Sequence, residues 1–417
     1  MTCAATPVVA AHIAAALSRP LPGAVQDRAV LHLLDTLGAI VSGTRLAARL
    51  GGPEEALAIG LGRRLGAPAA ALANAMAAHA DETDDSHVGG RFHPGCAIVP
   101  AALALADTQG RSGQNLLRAL VLGYDIGARA VMALGVRSAD TARFSTHTIG
   151  GTLGATAAAA ALAGQEVRGA AHALSYAVQQ TSGVPCWRRD SDHVEKVFDF
   201  GGIGARNGVM AALMVQEGRT AIEGVLTGPT SCLAAFAEDP QPAALTDGLD
   251  ERFEFPGAAI KTGCVGSPIQ AALDSLVALM ADHGLTADRV ARRTAIMPDG
   301  RLHIVDDRDM PDVCLQHLLG ITLLDGGPTF AAAHDHARMH DPAVRALRQR
   351  IFAIPSKALT EARPPRQAIV EIETTDGRQL RHHTRAALGT PDNPMTRAQV
   401  ADRAQHLMQP VPGAAPI

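Results

Sequence analysis

Apolar residues recur at helical spacing along residues 26–42, DRAVLHLLDTLGAIVSG, and stop near Gly43, which predicts a helix there. Residues 67–80, APAAALANAMAAHA, predict an alanine-rich helix. The same texture returns at 97–108, 114–134, 150–163, 167–180 and 202–217. Small residues dominate these faces, as in GGTLGATAAAAALAG, and allow close approach between helices. No β-rich run interrupts the first 260 residues, and no G-x-G-x-x-G follows a strand. The glycines therefore read as packing positions and not as phosphate cradles. After about residue 262 the pattern changes. Residues 288–298, DRVARRTAIMP, contain a strand-like run. In 367–386, Ile369, Glu371 and Glu373 alternate with Val370, Ile372 and Thr374 ahead of Asp376-Gly377, which predicts a hairpin. Helices fit 312–325 and 342–350. A last helix fits 396–408 with Thr396 as N-cap, followed by a tail, PVPGAAPI, expected to fray. The pattern predicts a mainly α fold: a helical domain over 1–262, completed by 395–417, and an α+β domain over 263–394.

Length and composition agree with two domains. The chain has 417 residues, 47% hydrophobic and 19% charged, enough for a large core. A net charge of −4 gives no electrostatic footprint for nucleic acid or an anionic membrane, and 3% aromatics leave few platforms for stacking bases. The longest apolar runs, such as 155–163, are far short of a membrane span. The N-terminus lacks a basic leader and is not read as a signal peptide. The six cysteines form no Cys-x-x-Cys pair and fit no zinc or iron–sulfur set. They read as reduced thiols, and the expected compartment is the cytoplasm.

Lysine occurs only at 196, 261 and 357 among 37 basic residues. Where positive charge alone suffices, this chain uses arginine. Lys196 and Lys261 therefore read as positions that need a compact ammonium, and Lys357 as incidental. The densest polar segment is 79–94, HADETDDSHVGGRFHP. Clustered carboxylates beside imidazoles suit proton exchange near neutrality. A divalent-metal site and a solvated loop are the alternatives. A second cluster, 186–208, holds Trp187, Arg188, Arg189, Asp190, Asp192, His193, Glu195, Lys196 and Arg206. It suits a carboxylate substrate, or else a surface loop with weak local ion pairs. Lys261 falls at the expected domain boundary, where ligand clefts are common. On the residues alone, His147 and His317 read as structural.

The segment HADETDDSHVGGRFHPGCAIVPAALALAD resembles the signature of the MmgE/PrpD family, an acidic pair followed by His-Pro and a Pro-Ala helix. The resemblance continues in order through THTIGGTLGATAAAAA, DHVEKVFDFGGIGARNG, IKTGCVGSPIQAALD and DGGPTFAAAHDHARMHDP. Activities known in this family include 2-methylcitrate dehydratase, cis-aconitate decarboxylase and iminodisuccinate epimerase. The resemblance implies a large all-helical domain with a smaller α+β lid domain, usually a homodimer, with the site between the domains and no metal or organic cofactor. His93 matches the family His of the His-Pro motif. Glu82 and Asp84 match its acidic pair, with Glu82 where the decarboxylases have Asp. Lys196 and Lys261 match two family lysines. Ser145 stands where many members have a second catalytic His, with His147 two residues on, and His317 stands where the decarboxylases have Tyr. These departures bring His147 and His317 into the candidate site.

The family's reactions share a proton transfer at a carbon next to a carboxylate. The reading is a cofactor-independent hydro-lyase acting on a small polycarboxylate. His93 would be acid or base, Glu82 and Asp84 would tune it, and Lys196 and Lys261 would stabilise charge, with His147 or His317 on the opposite face. Arg91, Ser145, Trp187, Arg188 and Arg206 are expected on the substrate side. An epimerase or decarboxylase of a related acid is the first alternative. A non-catalytic carboxylate-binding scaffold is the second.

Overall fold

The computed structural model describes residues 5–44, 55–59, 62–136, 143–190, 193–409 and 411. Asp192 and the end of the tail, 412–417, lie outside the described residues. The chain divides into two compact units. One comprises 1–80, 84–259 and 396–417, and the other 81–83 and 260–395.

The first unit is built from helices α1 (Ala5–Ala15), α2 (Gly23–Gly43), α3 (Ala67–His79), α4 (Pro94–Thr108), α5 (Gly113–Ala133), α6 (Thr146–Leu162), α7 (Val167–Gln180) and α8 (Ile203–Gln216). α6 is the central one and packs on α4, α5, α7 and α8. Every residue of α6 except His147 is buried. The small residues permit this. A Cβ at Gly154 would lie 2.5 Å from the Gly123 carbonyl oxygen of α5, and one at Gly208 of α8 would lie 2.6 Å from the Ala155 Cβ. Larger side chains then fill the gaps, with Ile98, Leu105, Leu120 and Val209 in one continuous core. The C-terminal helix Arg397–Met408 starts at a capping box formed by Thr396 and Gln399 and packs on α2, where Gly38 meets Ala404. There Arg403 pairs with the buried Asp35.

Three expectations need correction. The first 260 residues do contain strands, in two short antiparallel ladders: β1 (Ala56–Ala58) with β2 (Arg63–Leu65), and β3 (Ser86–His87) with β4 (Ala258–Ala259). Each is too short to show alternation. Helix α4 begins at Pro94 and not at 97, because proline suits the first turn and His93 takes the N-cap position. Helix α6 begins at Thr146 and not at 150, which places His147 on its first turn.

The second unit carries a four-stranded sheet of order β6-β5-β7-β8, with β5 Val290–Pro298, β6 Ile351–Ser356, β7 Ala368–Thr374 and β8 Gln379–Thr384. β5 and β6 are parallel, and the other pairs are antiparallel. The β7–β8 hairpin pairs Ile372 with Leu380 and turns through Gly377 at φ 85°. Helix α9 (Gln270–His283) packs on β7 and β8, and helix α10 (Leu315–Asp325) packs on α11 (Pro342–Arg348). Leu276, Val290, Ala295, Leu318 and Val370 belong to its core. Among the described residues, no single helix is long and apolar enough to cross a membrane.

Candidate active site

In the first unit a buried carboxylate organises two imidazoles. His79 closes α3, Asp84 follows five residues later, and His93 caps α4. The Asp84 carboxylate lies 3.0 Å from His79 Nδ1 and 3.1 Å from His93 Nδ1. Asp84 and His79 are wholly buried, and His93 keeps a sliver of exposure. A carboxylate at Nδ1 orients the ring, leaves Nε2 as the reactive nitrogen, and stabilises the charge that forms when Nε2 takes a proton. The next residue, Asp85, fixes the frame. It accepts hydrogen bonds from Tyr124 Oη (2.8 Å) and the Gly95 amide (2.8 Å) and lies 2.7 Å from His32 Nδ1. The start of α4 is thereby tied to α2 and α5.

Phe200 is the hub on the other side. It lies in a π-helical turn, Phe198–Gly202, between the one-turn helix Val194–Val197 and α8. The turn is dictated by packing: a Cβ at Gly201 would sit 2.7 Å from the Ala75 carbonyl oxygen. Around the Phe200 ring stand His147, stacked at 3.5 Å between centroids, His79 at 4.5 Å and Trp187 edge-on at 4.8 Å. The Lys196 ammonium lies 5.1 Å above the same ring, within cation–π range. The His93 and His147 rings are 5.4 Å apart. Burial, reinforced by His93, His79 and Lys196, holds the His147 imidazole well below its usual range, so it is neutral at pH 7. Its Nδ1 and the Trp187 indole nitrogen are buried without a hydrogen-bond partner among the described residues.

Ser145 is bound to a carboxylate of its own unit. Its hydroxyl donates to Asp199 Oδ2, and the Thr148 hydroxyl donates to Oδ1 at 2.9 Å. Burial pushes the Asp199 carboxyl up to about 6, against the Ser145 and Thr148 hydroxyl bonds that pull it down. The arginines form a looser rim. Arg188 lies over the Trp187 ring and Arg206 over Phe198. The Arg91 carbonyl accepts from Thr146 Oγ1 at 2.5 Å.

In the second unit, Lys261 Nζ donates to Glu82 Oε2 and to the Glu82 carbonyl, both at 2.8 Å, with both side chains buried. Glu82 adopts φ 55°, a left-handed conformation that a non-glycine residue keeps only when its surroundings hold it there. His334 Nε2 lies 3.2 Å from the Asp81 carbonyl oxygen, which anchors the same three-residue segment. His317, also in this unit, is enclosed in α10. Its Nε2 lies 3.2 Å from the Ala332 carbonyl oxygen, and burial lowers its pKa. Its hydrogen bond leads to that backbone and not to Glu82 or Lys261. Lys357 is exposed beside Glu361.

The structure thus gathers Asp84, His93, His147, Lys196, Ser145 and Trp187 in one unit and pairs Glu82 with Lys261 in the other. The residue reading missed His79, Asp85 and Asp199 as site members. For His79 and Asp85 the signal was present in their window of clustered acids and histidines. Asp199 lies inside the 186–208 cluster, but its partner Ser145 is 54 residues away, so nothing local marks the pair. His79, Asp84 and His93 offer three donor atoms within 4.8 Å of one another, a set that could hold a divalent ion.

A constellation of buried acid–base groups around one ring defines the first unit as an enzyme-like centre. The chain matches the MmgE/PrpD N-terminal domain over residues 8–245 and the MmgE/PrpD C-terminal domain over 264–416. It belongs to the MmgE/PrpD family. A cis-aconitate decarboxylase-like protein of Aspergillus oryzae is 29% identical over 228 residues, covering 50% of this chain and 46% of that protein. The cis-aconitate decarboxylase of Aspergillus terreus is 31% identical over 176 residues, covering 40% of this chain and 35% of that protein. The match spans less than half the length of these curated relatives.

Proposed function

We propose that the protein is a cofactor-independent lyase that moves a proton at a carbon next to a carboxylate of a small polycarboxylic acid. The observation that carries this is the pair of imidazoles, His93 backed by Asp84 and His147 kept neutral, 5.4 Å apart beside the Lys196 ammonium. His93 takes the proton through Nε2, and Asp84 stabilises the imidazolium that results. Lys196 holds a substrate carboxylate and offsets the negative charge that develops on it. His147 contributes a neutral hydrogen-bonding face, and Trp187 closes the site above it. Lys261, paired with Glu82, remains a proposed second cation for substrate. A homodimer in the cytoplasm belongs to the same proposal.

A hydro-lyase is the first reading. The proton that His93 removes is then given to the departing β-hydroxyl, so water leaves and the enzyme regains its starting protonation. The names of the Aspergillus relatives favour a second reading, decarboxylation of an unsaturated tricarboxylate. There CO2 leaves, and His93, protonated beforehand, supplies the proton to the carbanion. The test is turnover of citrate, 2-methylcitrate, cis-aconitate and iminodisuccinate, read by mass of the products. His93→Ala and Lys196→Ala must each abolish conversion of whichever acid the wild type consumes. Full turnover by both variants would overturn the proposal. Loss of 18 mass units or of 44 separates the two readings.

A further inference from the structure

A cavity in the first unit is lined by none of the residues of the histidine cluster. It occupies about 480 Å³, within the range of small-molecule sites of about 300–1,000 Å³. One wall is apolar: Leu21 and Pro22 from the turn before α2, Val121 and Leu122 of α5, and Phe253. The polar wall carries His12, Arg19, Arg118, Asp125 and Asp250.

Most of these charges are already matched. Arg19 pairs with Asp250, whose carboxylate also lies 3.0 Å from His12 Nδ1. Asp125 is bound by Arg129 at 2.8 Å and accepts the Glu254 amide at 2.7 Å. Burial lowers the His12 pKa, which keeps that ring neutral at pH 7. Arg118 differs. Its guanidinium is half-buried, donates to the Leu17 carbonyl, and has no carboxylate partner among the described residues. One unmatched cation therefore faces an apolar wall. A second negative charge on an occupant would find no unpaired cation among the lining residues, because Arg19 is already paired with Asp250.

We propose that this cavity binds an amphipathic monoanion, a medium-chain aliphatic carboxylate, with its head on Arg118 and its chain along Leu21, Val121, Leu122 and Phe253. The site is independent of the polycarboxylate chemistry proposed above, because it offers one unmatched cation, enough for one carboxylate and not for several.

The test is calorimetric titration of the full chain with octanoate. One equivalent should bind to the wild type. Arg118→Gln should weaken binding by about tenfold or more, the usual effect of losing a charge-assisted hydrogen bond. Lys196→Ala should bind octanoate as the wild type does. Octylammonium and citrate should not bind at this cavity. Intermolecular NOEs from the octanoate chain to the Val121 and Leu122 methyls give a readout that needs no variant. Absence of saturable octanoate binding would overturn the proposal. So would wild-type affinity in Arg118→Gln, or loss of binding in Lys196→Ala with Arg118→Gln unaffected, which would place the acid at the histidine cluster.

Discussion

Asp84→Asn is the sharpest perturbation of the candidate site, because one carboxylate serves two imidazoles at 3.0 and 3.1 Å and is wholly buried. The substitution keeps the shape and removes the charge. An imidazolium about 4 Å from a carboxylate gains about 4 kcal/mol at an effective dielectric constant of about 20. Loss of that interaction raises the proton-transfer barrier by a similar amount, which is about a thousandfold in rate. The asparagine NH2 also faces one imidazole N–H and drives that ring towards the wrong tautomer, which acts in the same direction. Substrate carboxylates are held elsewhere in the account, so kcat should fall about a thousandfold while KM moves by less than about threefold. Steady-state kinetics on the acid that the wild type converts would show this. Circular dichroism should find the variant folded and destabilised by about 1–3 kcal/mol. A folded Asp84→Asn protein with kcat within about tenfold of wild type would refute the reasoning.

Three further predictions concern other parts of the molecule. The Asp199 carboxyl is raised from 3.8 to about 6, so between those pH values the folded chain holds a proton that the unfolded chain has lost, and stability falls as pH rises through that window. Asp199→Asn should therefore melt higher than wild type at pH 7, by up to about 3 kcal/mol, and no higher at pH 3, as thermal melts at the two pH values would show. Lys261→Met takes a buried ammonium, 2.8 Å away, from the buried Glu82 carboxylate and should cost about 3–5 kcal/mol in chemical denaturation. Adding Glu82→Gln should recover most of that loss. Gly201→Ala places a methyl 2.7 Å from the Ala75 carbonyl oxygen and should destabilise by about 1–3 kcal/mol, with kcat reduced because the Phe200 hub shifts.

The helices were legible because alanine and leucine repeat at helical spacing over long windows, and the β7–β8 hairpin because alternation meets Asp376-Gly377. Less legible was β6, IFAIPS, which contains a proline and too few residues to show a period. Its parallel pairing with β5 depends on the fold around it. Helix α1 is absent from the predicted helices, because ATPVVAAHIAA is apolar nearly all round and shows no helical period. The π-helical turn at Phe198–Gly202 looks like the start of α8 in sequence and arises from the close approach of Gly201 to Ala75. Within the site, the scarcity of lysine singled out two residues that are buried in the structure, Lys196 and Lys261. The window 79–94 signalled acid–base chemistry, but nothing local distinguishes Asp84, which serves two imidazoles, from Asp85, which ties together three helices. That division follows from which way each carboxylate points after α3 ends. Ser145 shows the limit of position-by-position reading: its hydroxyl is committed to Asp199, a partner brought near only by the packing of the π turn on α6.

The most direct test of the central claim is proton NMR in D2O with citrate, 2-methylcitrate, cis-aconitate and iminodisuccinate. The account predicts that the wild type places deuterium at a carbon adjacent to a carboxylate in at least one acid or its product. It also predicts that Lys196→Ala and His93→Ala abolish that incorporation. Hydration, decarboxylation or inversion of any of these acids without deuterium at such a carbon would contradict it, as would undiminished incorporation in both variants.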